Sequence, residues 1–148
     1  NGTDHFYEIR ADLVDTATGT TRPDGFDAAL LARTTGSIME APSVVAANGK
    51  TWLFVSRGSF ADCSYSTEVY SAPTFLSSFT FVRTLKFVSP ATDKAFCGPG
   101  GAEVIDDNGT IRMAFHVWNK GDASGGRSVW TGVVKWNADG WPYIVGAV

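Results

Sequence analysis

Val44-Val-Ala-Ala-Asn48-Gly49-Lys-Thr-Trp52-Leu-Phe-Val55 and Val104-Ile-Asp-Asp-Asn108-Gly109-Thr-Ile-Arg112-Met-Ala-Phe115 carry one pattern sixty residues apart. In each, an apolar run meets Asn-Gly and a second apolar-rich run leaves it. Asn-Gly accommodates positive φ at both central turn positions and is the strongest short hairpin signal. Pro42–Ala47 with Lys50–Arg57 is therefore expected as one hairpin, and Ala102–Asp106 with Thr110–Trp118 as another. The match continues without a gap, because Val69-Tyr70-Ser71 falls on Val129-Trp130-Thr131. Ser66–Ala72 and Phe79–Phe87 complete the first set of strands, Arg127–Trp136 and Trp141–Val145 the second. Two four-stranded units at fixed spacing are expected of β-propeller blades, with a longer period than the common blade families.

Moving the register back another sixty residues puts Glu8-Ile9 on Glu68-Val69, so the strand read over His5–Leu13 is expected as the third of its blade. Thr16–Gly25 is rich in turn residues, and Phe26–Arg33 fits a strand or one helical turn. The expected organisation is the end of one blade and a connection over residues 1–36, a second blade over 37–88 and a last blade over 89–148. That is about two and a half blades, fewer than the four to eight of a closed ring.

Composition agrees with this all-β reading. Aromatic residues make up 13% of the chain and glycine 16 of its 148 residues, without sustained helical periodicity. The length suits one domain with a real core. A net charge of −3, a pI of about 5.2 and no Lys/Arg run argue against nucleic acid or an anionic membrane as the main partner. No apolar stretch approaches the roughly 20 residues of a membrane helix. The chain begins at Asn1 rather than Met, which leads us to expect an upstream segment removed by processing or cleavage. Two cysteines and Asn-Gly-Thr sequons at Asn1 and Asn108 point to an extracellular protein.

Blade geometry then groups the candidate functional residues. The connection before a first strand and the connection between strands two and three lie on one rim. Glu40 and Cys97 fall in connections of the first kind and Cys63 in one of the second, with both Asn-Gly turns on the opposite rim. A Cys63–Cys97 bridge across this rim would constrain the unfolded chain by roughly 3–4 kcal/mol. Glu40 precedes a Pro-led apolar strand in Glu40-Ala-Pro42, where Pro42 is expected to hold Ala41 extended. A carboxyl group at the mouth of a buried strand suits acid/base work, since partial burial favours its protonated form; a solvated loop glutamate is the plainer alternative.

Gly98-Pro-Gly-Gly-Ala-Glu103 lies on the same rim. It precedes a strand rather than a helix, so a tight loop suits it better than phosphate binding. Glu103 fits either a channel-facing or a structural position. Alternation puts Ala114, His116 and Trp118 on one side of their strand and Met113, Phe115 and Val117 on the other. His116 fits a core residue or a water-completed ion site, and a zinc site built from His116 and His5 alone lacks ligands. Arg127 is suited to carboxylate binding by its planar fork or to an exposed strand edge. Phe60, Trp118 and Trp141 are candidates for stacking on sugar rings or for core packing. No G-x-S-x-G motif and no serine or cysteine triad is evident.

Glu40-Ala-Pro42, then Trp52-Leu-Phe-Val-Ser-Arg-Gly-Ser-Phe60, Gly98-Pro-Gly-Gly101 and Phe115-His-Val-Trp118 together resemble glycoside hydrolase family 43, in the right order from about Ser37 onward. The resemblance implies a five-bladed propeller acting as an inverting arabinanase, arabinofuranosidase or xylosidase. It implies that Glu40 is the general acid and that Arg127 contacts the catalytic carboxylates. His116 would face a central channel that in some members holds calcium or another ion. The aspartate base and a second aspartate would belong to earlier blades, so an N-terminal half of the same propeller, or self-association, is expected to complete the chain. Gly101 departs from the family, where a histidine often follows Gly-Pro-Gly. Inverting hydrolysis needs carboxyl groups about 6.5–9.5 Å apart, which opposing blades can supply. A noncatalytic carbohydrate-binding or interaction propeller is the alternative, and a β-sandwich lectin fits the sixty-residue register poorly.

Overall fold

The computed structural model describes residues 6–20, 29–87, 96–119 and 123–146. Strands β1 (Phe6–Ala11) and β2 (Ala29–Thr35) form an antiparallel pair. A four-stranded antiparallel sheet follows in chain order, from β3 (Met39–Ala47) through β4 (Lys50–Arg57) and β5 (Ser66–Ala72) to β6 (Thr80–Thr84). A second repeats it, from β7 (Cys97–Asp107) through β8 (Thr110–Trp118) and β9 (Arg127–Trp136) to β10 (Pro142–Val145). Both Asn-Gly turns form as expected. Asn48 and Gly49 have φ of 49° and 72°, Asn108 and Gly109 of 52° and 85°, so both central positions are left-handed and match the strand twist. Among the described residues no helix is long and apolar enough to cross a membrane.

The middle sheet is buried on both faces, which explains the unbroken apolar run Trp52–Val55 in β4. Leu53, Val55, Tyr70 and Ala72 pack towards β1 and β2 with Ile9, Leu31 and Ala32. Trp52, Phe54 and Val69 pack the other way, against Val104, Met113 and Phe115 of the last sheet. The first strands of the two sheets also meet directly. Ser43 Oγ accepts the Val104 amide at 2.9 Å and donates to Glu103 Oε1 at 3.2 Å. Positions sixty residues apart in the chain are thus neighbours in space. Glu103 has a structural partner here and stands on the outer side of the last sheet.

That outer side is uncovered. Val45 and Val69 are 8% and 0% exposed, whereas their counterparts sixty residues on, Ile105 and Val129, are 56% and 74% exposed. Beside them lies a hollow of about 400 Å³ lined by Glu103, Ile105, Arg112, Ala114 and Val133.

Several expectations are corrected. Ala41 is not extended but left-handed, with φ of 50°. Pro42 has no N–H for the ladder, and the register shifts between Glu40 and Ser43, leaving Ala41 and Pro42 exposed in a bulge. Glu40 is therefore not in a connection but within β3, opposite Ser56. Cys97 likewise begins β7, opposite Trp118, because β7 bridges its glycines with two register shifts. The Phe26–Arg33 segment resolves to a strand from Ala29; residues 26–28, like His5 and the Asn1 sequon, lie outside the described residues. The strand expected over Phe79–Phe87 is paired only over Thr80–Thr84, since Leu85 and Phe87 turn into the core.

Cys63 and Cys97 are bonded to each other, tying the loop between β4 and β5 to the start of β7. Titration of denatured, unreduced protein is expected to find no free thiol. Replacing both cysteines by alanine should lower the unfolding free energy by roughly 3 kcal/mol, read by denaturant titration. The same region depends on one close approach: a Cβ on Gly100 would lie 2.1 Å from a Tyr65 ring carbon. Gly100→Ala must displace a buried ring, and a loss of about 1–3 kcal/mol is expected in the same titration.

Candidate active site

Glu40 is held half-buried at the start of β3, ahead of the strained Ala41. A non-glycine residue in that conformation costs on the order of 1–3 kcal/mol and is often found at functional sites. The loop after β4 returns under the disulfide and delivers Tyr65, which is buried. Its hydroxyl donates to Glu40 Oε1 at 2.7 Å. Ser56, fully buried and opposite Glu40, accepts the Gly101 amide at 2.8 Å.

His116 comes from β8, opposite Gly100. Its ring lies parallel to that of Tyr65, with 3° between planes and centroids 5.8 Å apart. A Cβ on Gly101 would stand 2.6 Å from His116 Nε2, so this imidazole occupies room that the glycine leaves free. The observed alternation of β8 buries Met113, Phe115 and Val117 and leaves Ala114, His116 and Trp118 on the other side.

Arg127 opens β9 opposite Trp118. Its Nη1 is 2.9 Å from His116 Nδ1 and 3.0 Å from Nε2. These near-equal distances put the guanidinium over the ring rather than in line with either lone pair. Nη2 donates to the carbonyl oxygen of Phe60. The guanidinium carbon also lies 4.4 Å from the centroid of the Trp118 ring and 5.4 Å from that of Tyr65, within the range of cation–π attraction.

Burial pushes the Tyr65 hydroxyl above its usual range, and Glu40 adds to the shift. Tyr65 therefore keeps its proton at neutral pH. Burial, followed by the charge of Arg127, lowers His116 below the usual imidazole value. The ring is neutral at pH 7, which makes Arg127 the cation of the cluster.

Of the candidates read from the sequence, Glu40, His116 and Arg127 converge around Tyr65. Phe60 joins through its main-chain carbonyl while its ring is exposed. Trp118 is half-buried against Arg127 and near Gly98, and its Nε1 makes no hydrogen bond among the described residues. Trp141 is exposed just before β10, where its amide donates to Asn137 Oδ1. Tyr65 and Ser56 were missed: Ser56 stands inside the Trp52–Phe60 stretch without a role having been read for it, and the signal for Tyr65 was its place two residues after Cys63 in a connection assigned to this rim.

For an ion, the described residues do not fit. No group of three or more His, Cys, Asp or Glu side chains stands together among them, and the cationic Arg127 already lies against His116. What the cluster does provide is one carboxyl group with an oxygen fixed by a neutral donor, beside a guanidinium.

The family model of glycosyl hydrolases family 43 matches residues 3–142. Among solved structures, a thermostable family-43 glycoside hydrolase aligns over 97% of this chain and 48% of its own, with a TM-score of 0.76 and 20% identity. A xylan beta-1,4-xylosidase from Bacillus halodurans C-125 aligns over 90% and 26%, with a TM-score of 0.68 and 17% identity. An endo-1,5-alpha-L-arabinanase from Thermotoga petrophila RKU-1 aligns over 95% and 38%, with a TM-score of 0.71 and 17% identity. The chain thus spans between about a quarter and about half the length of these structures. No curated protein matches it in sequence. The likeness accounts for sheets that do not close, as in part of a propeller, and with the family match over nearly its whole length this chain belongs to glycosyl hydrolases family 43.

Proposed function

We propose that this chain supplies the general acid, Glu40, of an inverting glycoside hydrolase acting on arabinose- or xylose-containing poly- or oligosaccharides. The observation that carries this reading is the carboxyl group of Glu40, half-buried at the rim and held by a neutral phenol beside Arg127. The printed activities of the solved structures, a xylosidase and an arabinanase, support the substrate class.

In the proposed step, water attacks the anomeric carbon as the glycosidic bond breaks. The proton of Glu40 passes to the departing glycosidic oxygen, and the water gives its proton to a carboxylate base. The base lies outside this chain, on the N-terminal half of the propeller. Arg127 orients the substrate and supplies positive charge, with Phe60 and Trp118 at the edge of the sugar site. His116, neutral and stacked on Tyr65, shapes the channel wall.

All 148 residues then form the C-terminal part of one catalytic propeller. The uncovered side of the last sheet, with Ile105 and Val129 exposed where Val45 and Val69 are buried, supports docking of the N-terminal half in preference to self-association. The Cys63–Cys97 bond supports secretion into an oxidising compartment.

Glu40→Gln in the complete enzyme keeps the shape and removes the transferable proton. Turnover of a pentoside with a poor leaving group is expected to fall about 10²–10⁴-fold; a rate like the wild type's would remove Glu40 from the mechanism and favour a binding protein. Val129→Asp in the complete propeller would bury an unpaired carboxylate at the closing face. A loss of at least about 2 kcal/mol in unfolding free energy is expected. A loss under about 0.5 kcal/mol, usual for solvated surface sites, would mean that this face stays open.

A further inference from the structure

Resting on the role of Glu40 as the acid, we propose that Arg57 is a positioning residue for it. Arg57 clamps the chain as it enters β3 and so fixes where the carboxyl group is presented. Its Nη1 donates to the carbonyl oxygens of Ser37 at 3.0 Å and of Ile38 at 3.3 Å. Both carbonyls belong to the connection between β2 and β3, directly ahead of Met39 and Glu40. Alternation along β4 puts Ser56 on the side of the last sheet, where it meets Gly101, and Arg57 with Val55 on the side of β1 and β2.

The ladder by itself holds Glu40 over a short length. Met39 pairs with Arg57 and Glu40 with Ser56, and then the register shifts until Ser43 pairs with Phe54. Downstream of Glu40 stand the left-handed Ala41 and Pro42, which has no N–H to bond. The acid thus lies between a bulge and a connection, and Arg57 ties that connection to β4.

Arg57 is itself held in place. Its Nε lies 3.3 Å from Glu68 Oε2, as an ion pair rather than a hydrogen bond. The same oxygen accepts the Tyr70 hydroxyl at 2.8 Å. The side chains of Arg57 and Glu68 are 17% and 19% exposed, so little water competes for either. The planar guanidinium meets the carbonyls through one nitrogen and the carboxylate through another, which the single nitrogen of a lysine does not reproduce. Arg57 touches neither the proton nor the substrate in the proposed step. Its effect runs through the backbone, and a displacement of about 1 Å at a reacting group can cost about 10²-fold in rate.

The test uses the complete enzyme and two aryl pentosides, one with an unsubstituted phenol and one with a dinitrophenol as leaving group. Only the first needs protonation as the bond breaks. The double variant Arg57→Met, Glu68→Gln removes the clamp without leaving a buried, unpaired carboxylate. It is expected to lower the ratio of kcat for the phenyl to the dinitrophenyl substrate about 10–100-fold, with KM changing less than about threefold. Arg57→Lys keeps the charge beside Glu68 and should lower the ratio by about three- to tenfold. It decides the matter if the double variant loses its circular-dichroism signature. A wild-type ratio in the folded variants, an equal fall on both substrates, or a change confined to KM overturns the role of Arg57. Glu40→Gln measured alongside separates the two readings. A fallen ratio in Glu40→Gln alone leaves the acid standing without Arg57, and a wild-type ratio there overturns the acid assignment and this inference together.

Discussion

Trp52, Phe54 and Val69 leave one sheet and fill the next, and this face-to-face burial is the constraint on which the rest of the chain depends. Each four-stranded sheet has two apolar faces, so none is finished until a neighbour lies on both sides. The middle sheet has both neighbours and is the best-buried part of the structure. The last sheet has one, and the same positions that are core in the middle sheet are solvent-exposed in it. A repeat of this kind specifies an interface at each end as well as a fold, because the apolar face is written into every copy.

The packing also explains the location of the candidate site. Strands that meet at the inner edge must pass close to the loop arriving from the neighbouring sheet. At the start of β7 that loop brings Asp62, Cys63 and Tyr65, and only glycine fits opposite them. A Cβ on Gly98 would lie 2.9 Å from the Asp62 carbonyl oxygen, and one on Gly100 would enter the Tyr65 ring. The disulfide, the glycines and the contact of Arg127 with the Phe60 carbonyl hold the loop from three directions. A phenol fixed in this way holds one oxygen of the Glu40 carboxyl in place.

Glu40 shows how local rules yield to this setting. Taken alone, Ala41-Pro42 calls for extended backbone, and the chain instead adopts a left-handed residue and a bulge. The bulge takes two residues out of the ladder, so that Glu40 pairs with Ser56 while Ser43 reaches across to Val104. One strand thereby serves two neighbours, its own sheet and the next.

Sequence by itself determined the two hairpins, the blade spacing, the shared rim of Glu40, Cys63 and Cys97, and the sides of β8 taken by His116 and Phe115. These follow from turn chemistry and from the twofold period of a strand, which are local properties of the chain. Tertiary structure alone decided the bulge at Ala41, the partnership of Ser56 and Tyr65 with Glu40, and the placing of Arg127 over His116 rather than against the Glu40 carboxyl. Those contacts join residues 11 to 67 positions apart, two of them within one sheet and its loops and two between neighbouring sheets. No local pattern encodes them, because each depends on how strands and loops distant in the chain pack together and on which side chain fills the space that a glycine leaves.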